Sequence, residues 1–442
     1  MKRLYVMTKV SNIHKGKTDT FENSTFFLLG FFSTTSILAL PIFGQYISAY
    51  SIVLIIVFYI LFKERGKIIR YSQLDNSYLL WMLIGVLSSL FGFFYFWDNK
   101  DFQQTSVSYL PKIALYTIFF LLLKRSSKNY AFSKYICYGL LFGCVFNICW
   151  AIVDALLFYI TGISITNTLF KGYIIANELH YEMASLVLGE TIRSCGINYD
   201  PANIGLFAPV VALYGLKKKS WIIYGLSILS ILASLSHTAF LGIILVTIYH
   251  FYNTKNKLIT IAVFIFITIG VVVLYNILQL DTLVQMVDAF IERTEQKADG
   301  SELEGARGEY WFNFFKAVFN QPTSFLIGTG YYTASYAYLS NGLVTHNFRP
   351  YDPEQTYFSY YFDLGMIGFI IFTSLLYSIW KKSQNLLSLN KNQYYFIFSG
   401  IIGSAVAFLG YHYTLYSVVM LVIISGIIQC NYDSTKIQQS GR

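Results

Sequence analysis

The sequence predicts an all-α polytopic membrane protein of about twelve transmembrane helices, with two large outer loops carrying short amphipathic helices. Three observations predict it. Of 442 residues, 55% are hydrophobic and 19% aromatic, while 12% are charged, about half the charge of an ordinary soluble chain. Mean hydropathy is +0.52. Apolar runs of membrane-spanning length recur from end to end, and Lys and Arg gather in short clusters between them. This composition excludes a soluble multidomain enzyme, a disordered chain and a fibrous one.

Runs able to cross a hydrocarbon core of about 30 Å lie near 25–42, 46–63, 77–97, 107–123, 136–158, 203–216, 220–235, 238–252, 258–278, 358–380, 394–411 and 413–430. Polar residues run to about Ser24 with no signal-peptide core ahead of them, so the first span is expected to act as an uncleaved insertion signal. Spans six to eight are short. Placing the N-terminus in the cytoplasm puts the clusters Lys63 to Arg70, Lys124 to Lys134, Lys217 to Lys219, Lys255 with Lys257, and Lys381 with Lys382 on the cytoplasmic side. Both termini are then cytoplasmic, and residues 1–442 form a single integral membrane domain. Its two hydrophilic loops, about 160–202 and 279–357, then fall on the outer side, which the resemblance described below makes the periplasm.

The net charge of +9 is spread over these flanking anchors and forms no continuous basic face, so no nucleic-acid partner is expected. Cys137, Cys144 and Cys149 share one apolar stretch, Cys430 ends the last span, and Cys195 alone lies in an outer loop. That distribution suggests neither a disulfide framework nor a metal site. The chain has no internal repeat, no phosphate-cradling P-loop and no paired broken spans of the inverted-repeat transporter kind. Function is therefore expected in the outer loops and the helix ends beneath them. Lys112, Asp154 and Asp363 are ionisable groups at the outer edges of spans, where snorkelling to the interface is the ordinary explanation.

Loop one closes with Glu190-Thr-Ile-Arg193-Ser-Cys-Gly196-Ile-Asn198-Tyr-Asp200-Pro201-Ala-Asn203 and re-enters the membrane. An arginine fork ahead of a helix start suits an anion, because the guanidinium grips phosphate oxygens and the free N–H groups add a positive dipole end. Asn198 and Asn203 are candidates to assist. The competing reading has Asn and Asp capping the next span while Arg193 pairs with Glu190.

Loop two contains an amphipathic stretch at 283–291, then Gly305-Ala-Arg307-Gly308 and the aromatic segment Glu309 to Phe319, suited to the headgroup layer. Asn320-Gln-Pro322 stops that segment, and the turn-rich Ile327-Gly328-Thr-Gly330 follows. The loop ends Val344-Thr-His346-Asn347-Phe-Arg349-Pro-Tyr-Asp352-Pro-Glu354-Gln355, and the chain descends through Asp363-Leu-Gly365-Met-Ile-Gly368.

The order of Arg, aromatic helix, Pro, GxG, His-Asn and a Gly-rich membrane entry, joined to the Arg193–Asn203 stretch, resembles the O-antigen polymerase and O-antigen ligase superfamily over roughly 190–215 and 305–370. The resemblance implies a bacterial inner-membrane glycosyltransferase of lipopolysaccharide biosynthesis, with no metal or other cofactor. Such an enzyme moves a glycan from an undecaprenyl-pyrophosphate carrier to an acceptor hydroxyl on the periplasmic side. It also implies that Arg193 matches the first loop arginine, Arg307 the arginine opening the helical part of loop two, and His346 the essential histidine. One departure stands out: where many members have Ser-Arg, this chain has Ser236-His237.

The chemistry agrees with those residue types. Releasing a pyrophosphate needs its charge stabilised, and Arg193, Arg307 and Arg349 can supply that. The attacking hydroxyl must lose a proton, which suits a histidine base; His346 fits, with Glu354 or Asp352 orienting it or serving as the base. Asn347 is a further candidate for the substrate. Asp352 and Glu354 as a metal pair lack further ligands. The expected partners are the carrier-linked donor and acceptor, membrane lipids, a chain-length regulator and a flippase. Three reactions fit the frame: polymerase first, then ligase onto a lipid A core or a protein, and, from another class, a lipid-linked oligosaccharide flippase.

Overall fold

A computed structural model describes residues 20–252 apart from short breaks at 36–37, 43–44, 65–70, 96, 99, 172–185, 189–190 and 199–202, together with 288, 291, 326–330, 333, 356–387 and 416–440. In chain order these residues form α1 (Thr20–Ser33), β1 (Ala39–Ile42), β2 (Gln45–Ser48), α2 (Ala49–Lys63), α3 (Gln73–Tyr95), α4 (Lys100–Ser108), α5 (Leu110–Arg125), α6 (Asn129–Thr161) and α7 (Ile165–Leu169). There follow β3 (Leu186–Leu188), β4 (Thr191–Arg193), α8 (Ile204–Lys218), α9 (Trp221–Ser234), α10 (His237–Tyr252), α11 (Thr356–Leu387) and α12 (Tyr416–Ser440). The fold is all-α with two small hairpins. Among the described residues, four helices are long and apolar enough to cross a membrane. The expected spans at 258–278 and 394–411 lie outside the described residues.

The first span departs from expectation. Its helix ends at Ser33 instead of running to 42, and the antiparallel hairpin of β1 and β2 replaces the outer turn, pairing Ala39 with Ser48 and Ile42 with Gln45. The reason is local. Ser33 bonds the Gly30 carbonyl and Thr34 the Phe31 carbonyl, so side-chain hydroxyls take over helix acceptors just where a run of Ser and Thr begins. Pro41, lacking an N–H, then disfavours a restart.

Helix α6 is the hub. At 33 residues it rises about 50 Å, well beyond a membrane core of about 30 Å, and it packs against α1, α8, α9 and α12. One of its faces runs Gly139, Gly143, Asn147, Ala151 and Asp154, all buried, at the spacing of three and four that keeps residues in line on a helix. The two glycines let α1 lie directly on the backbone. A Cβ at Gly139 would sit 2.0 Å from the Phe27 carbonyl oxygen, and one at Gly143 would sit 2.0 Å from Thr34 Oγ1. This is the small-xxx-small device by which membrane helices gain close van der Waals contact. Phe26 and Phe132 meet edge to face at 5.4 Å beside it.

The helices define two ends of the bundle. At one, α1 begins beside the start of α6 through the Glu22–Lys128 ion pair, and Asp75 of α3 meets Lys124 of α5 at 3.0 Å. At the other lie the last turns of α3 and α6, the β3–β4 hairpin and the start of α8. Helix α12 runs back toward the Lys124 end, where Asn431 donates to Asp75. Its residues Val418 to Cys430 are buried on every side, as befits a helix apolar all round.

Candidate functional site

The end of the bundle opposite Lys124 gathers two stretches that the sequence singled out. In the first, Arg193 closes the β3–β4 hairpin opposite Leu186 and is half-buried. The next residue anchors the chain twice: Ser194 N–H donates to the Ala233 carbonyl of α9 at 2.9 Å, and Ser194 Oγ donates to Asp154 Oδ2 at 2.8 Å. Gly196 follows with φ +67°, and a Cβ there would meet the Asn147 carbonyl oxygen at 2.9 Å. Only glycine gives both that backbone and that clearance. Asn147 Oδ1 accepts from Ile197 N at 3.0 Å and from Asn198 Nδ2 at 2.7 Å, while its Nδ2 donates to the carbonyls of Thr34 and Gly143 at 2.9 and 2.8 Å. Its amide thus uses both donors and both acceptor positions.

Asp154 is 1% exposed and accepts from Ser164 Oγ at 2.9 Å and Thr166 N–H at 3.1 Å as well as from Ser194. It therefore joins the start of loop one to its end. Snorkelling, expected from its place near a span edge, is corrected: the carboxylate turns inward because three donors converge on it. The same correction holds for Asp363, which is fully buried. Lys112 is exposed, with its ammonium 4.1 Å above the Tyr109 ring, as snorkelling predicts.

Arg193 also lies beside the junction of α9 and α10. Leu235 there has φ +46°, a left-handed conformation that costs a non-glycine residue about 1–2 kcal/mol. Ser236 caps α10 by accepting from the Ala239 N–H at 3.2 Å, and His237 is the first residue of that helix. The departure Ser236-His237 thus sits a few residues along the backbone from the carbonyl that holds Ser194.

Asn203 precedes α8 but does not cap it through its side chain. It is 1% exposed, and neither its Oδ1 nor its Nδ2 has a hydrogen-bond partner among the described residues. Buried amides are ordinarily satisfied, so this one stands out among the described residues. Asn198, in contrast, spends its amide on Asn147 and serves to hold the turn. Glu190, the alternative partner of Arg193, lies outside the described residues.

The second stretch is the GxG turn of loop two. A Cβ at Gly92 of α3 would lie 1.8 Å from the Thr329 carbonyl oxygen, so the turn rests on bare helix backbone. Ser88 donates to the Ile327 carbonyl. Gly330 N–H donates to the Asp363 carbonyl at 2.9 Å, and Thr333 N–H to Asp363 Oδ1 at 3.2 Å. Asp363 reaches these groups because α11 breaks at Gly365, whose φ of 65° and ψ of −178° belong to glycine alone. The GxG turn and the Gly-rich membrane entry, 33 residues apart from Gly330 to Asp363 by sequence, are thus one structure.

Arg307, His346, Asn347, Arg349, Asp352 and Glu354 lie outside the described residues, as do the amphipathic segments of loop two apart from Asp288 and Ile291. Sequence reasoning missed Asn147, Gly92, Ser88 and Thr333. The signal for the first was present: Gly139, Gly143, Asn147 and Asp154 share one helical face inside an apolar run. Nothing local marked the others, whose importance lies in a contact between distant segments.

These features define a polytopic α-helical membrane protein in which, among the described residues, the Arg193 turn and the GxG turn lie at the end of the bundle opposite Lys124. Residues 222–373 match the family model described as O-antigen ligase. That segment runs from α9 through loop two into α11 and includes the junction beside Arg193, the GxG turn and the helix break. The match supports the O-antigen ligase and polymerase superfamily, and with it a glycosyl-transfer enzyme of surface-polysaccharide biosynthesis. No curated protein matches the chain.

Proposed function

We propose that the protein is a bacterial O-antigen polymerase of the inner membrane. It moves the growing glycan from undecaprenyl pyrophosphate to the terminal sugar hydroxyl of a second carrier-linked repeat unit, at the periplasmic face. The observation that carries this reading is the packing of the Arg193 turn onto the first helices of the matched segment, through Ser194 and Ala233. It joins an anion-binding arginine from outside the matched residues to the family's own domain.

The helix lengths support a lipid-borne substrate. Helices α8 and α9 have 15 and 14 residues, rising about 21–23 Å each. A hydrocarbon core is about 30 Å thick. With Lys217 to Lys219 at one surface, helices this short let the opposite headgroup layer, where a polyprenyl pyrophosphate presents its head, dip toward the α9–α10 junction and Arg193. In a site poor in water an arginine stabilises the released pyrophosphate more than it would in bulk solvent. Arg307 and Arg349 add positive charge, Asn203 and Asn347 donate to substrate oxygens, and His346, with Asp352 or Glu354, takes the hydroxyl proton.

The description of the matched family favours a second reading, a ligase that passes the glycan to a lipid A core or a protein. Deleting the gene and resolving the surface glycan beside the carrier-linked pool tests both. A single repeat unit on the core with the ladder gone is the result expected of a polymerase. A bare core with full-length polymer on the carrier identifies a ligase. Repeat units held on the cytoplasmic side overturn both in favour of a flippase.

A further inference from the structure

We infer that Asn147 and Asp154 of α6 are positioning residues that aim Arg193 at the pyrophosphate. The inference rests on the reading of Arg193 as a pyrophosphate-binding residue and deepens it. Arg193 stands where regular structure ends: its backbone pairs with Leu186 on one side, and Ser194 leaves toward α9 on the other. The direction of the chain beyond it is set by two side chains of one helix. Asp154 holds Ser194 at 2.8 Å, and Asn147 holds Ile197 and Asn198 at 3.0 and 2.7 Å.

These two side chains lie seven residues apart, two turns along one face, so the spacing of the turn is copied from the pitch of a rigid helix. Asp154 also binds Ser164 and Thr166, and Trp150 donates to Thr166 Oγ1 at 2.9 Å. Both bases of loop one therefore meet on α6. Asn147 is itself fixed to the end of α1 through the Thr34 carbonyl, so the backbone on the far side of Arg193 is tied to two helices. An arginine mounted this way reaches its anion with little ordering cost at binding.

A merely structural role would lower stability and leave the affinity of the surviving protein alone; a positioning role lowers affinity in protein that still unfolds cooperatively. Full-length protein in lipid nanodiscs is titrated with undecaprenyl pyrophosphate, and its thermal unfolding is recorded. Arg193→Ala, Asp154→Ala and Asn147→Asp are each expected to weaken binding about tenfold or more. In Asn147→Asp the oxygen that accepts from Ile197 and Asn198 survives, but an anionic oxygen replaces the donor facing the Thr34 and Gly143 carbonyls, which repels it and turns the side chain away from the turn. Asp154→Asn keeps an oxygen for Ser164 and Thr166, and the Ser194 hydroxyl can accept from the new amide, so its affinity is expected within about threefold of wild type.

Wild-type affinity in Asp154→Ala, with binding lost in Arg193→Ala, overturns the positioning role alone. An equal loss in Asp154→Asn and Asp154→Ala overturns it too, since charge and not geometry would then be at work. Wild-type affinity in Arg193→Ala overturns the reading beneath it, and the inference with it. Ser194→Ala removes the hydroxyl that donates to Asp154 and accepts the longer Gly196 N–H contact at 3.4 Å, and decides the matter if Asp154→Ala does not accumulate: a loss of about threefold or more upholds the role, and no loss overturns it.

Discussion

The two ends of the helix bundle bury acidic side chains for different purposes. At one end Asp75 takes the Lys124 ammonium, the Asn431 amide and the Ser72 N–H, so the start of α3, the end of α5 and the body of α12 close on one carboxylate. At the other, Asp154 and Asp363 accept from hydroxyls and backbone N–H groups of loops one and two, all in irregular chain except Thr166 in the single turn of α7. The first arrangement joins regular elements to one another; the second shapes irregular ones. Irregular backbone at membrane depth persists only where protein satisfies its polar groups, so the second end is where a site can be built.

That contrast is broken most severely at the first end. Lys124→Ala leaves Asp75 buried and without its cation, and is expected to cost about 3–5 kcal/mol, read by thermal or denaturant unfolding in detergent. The double variant Asp75→Asn with Lys124→Met should recover most of that loss, and its glycan ladder should return with the protein. Next comes Gly143→Leu, which drives a side chain into Thr34 and pushes α1 from α6. Overpacking of this kind costs about 1–3 kcal/mol, and because it also breaks the Thr34–Asn147 bond it should weaken carrier binding at the far end.

Asp363→Ala removes the acceptor of the Thr333 N–H, a loss of about 1–3 kcal/mol for a buried donor. Stability should fall by less than in Lys124→Ala while elongation, measured on the gel ladder at equal protein level, falls further. An elongation loss no greater than the loss of folded protein would erase the distinction between the ends. The smallest effect on stability belongs to Asn203→Ala. No hydrogen bond within the described fold is lost, so unfolding should shift by less than about 0.5 kcal/mol, whereas affinity for undecaprenyl pyrophosphate should drop measurably.

Much of this was legible in the sequence. Helices α3, α5, α6 and α8 to α12 fall where the apolar runs lie, because a membrane span must satisfy its own backbone and announces itself by length and composition. The end of α1 at Ser33 was not legible, although the Ser-Thr run that causes it is local, since hydropathy alone does not register hydroxyls competing for helix carbonyls. Arg193 was singled out as a residue ahead of a helix start, and the structure sets it at the end of β4 against α6 and α9; that Asn198 holds the turn follows only from the packing of Asn147.

What the sequence by itself determined, then, is the helical frame, its basic anchors and the motifs that resemble a glycan-transferring superfamily, all properties of contiguous residues and their period. What only the tertiary structure decided is which polar groups face each other across that frame. Asp154 and Asp363 looked like edge charges bound for the interface, yet both are buried, because donors from residues as distant as Ser194 and Thr333 converge on them. A buried charge is tolerable only with such partners, and partners brought together by folding leave no trace in the local pattern.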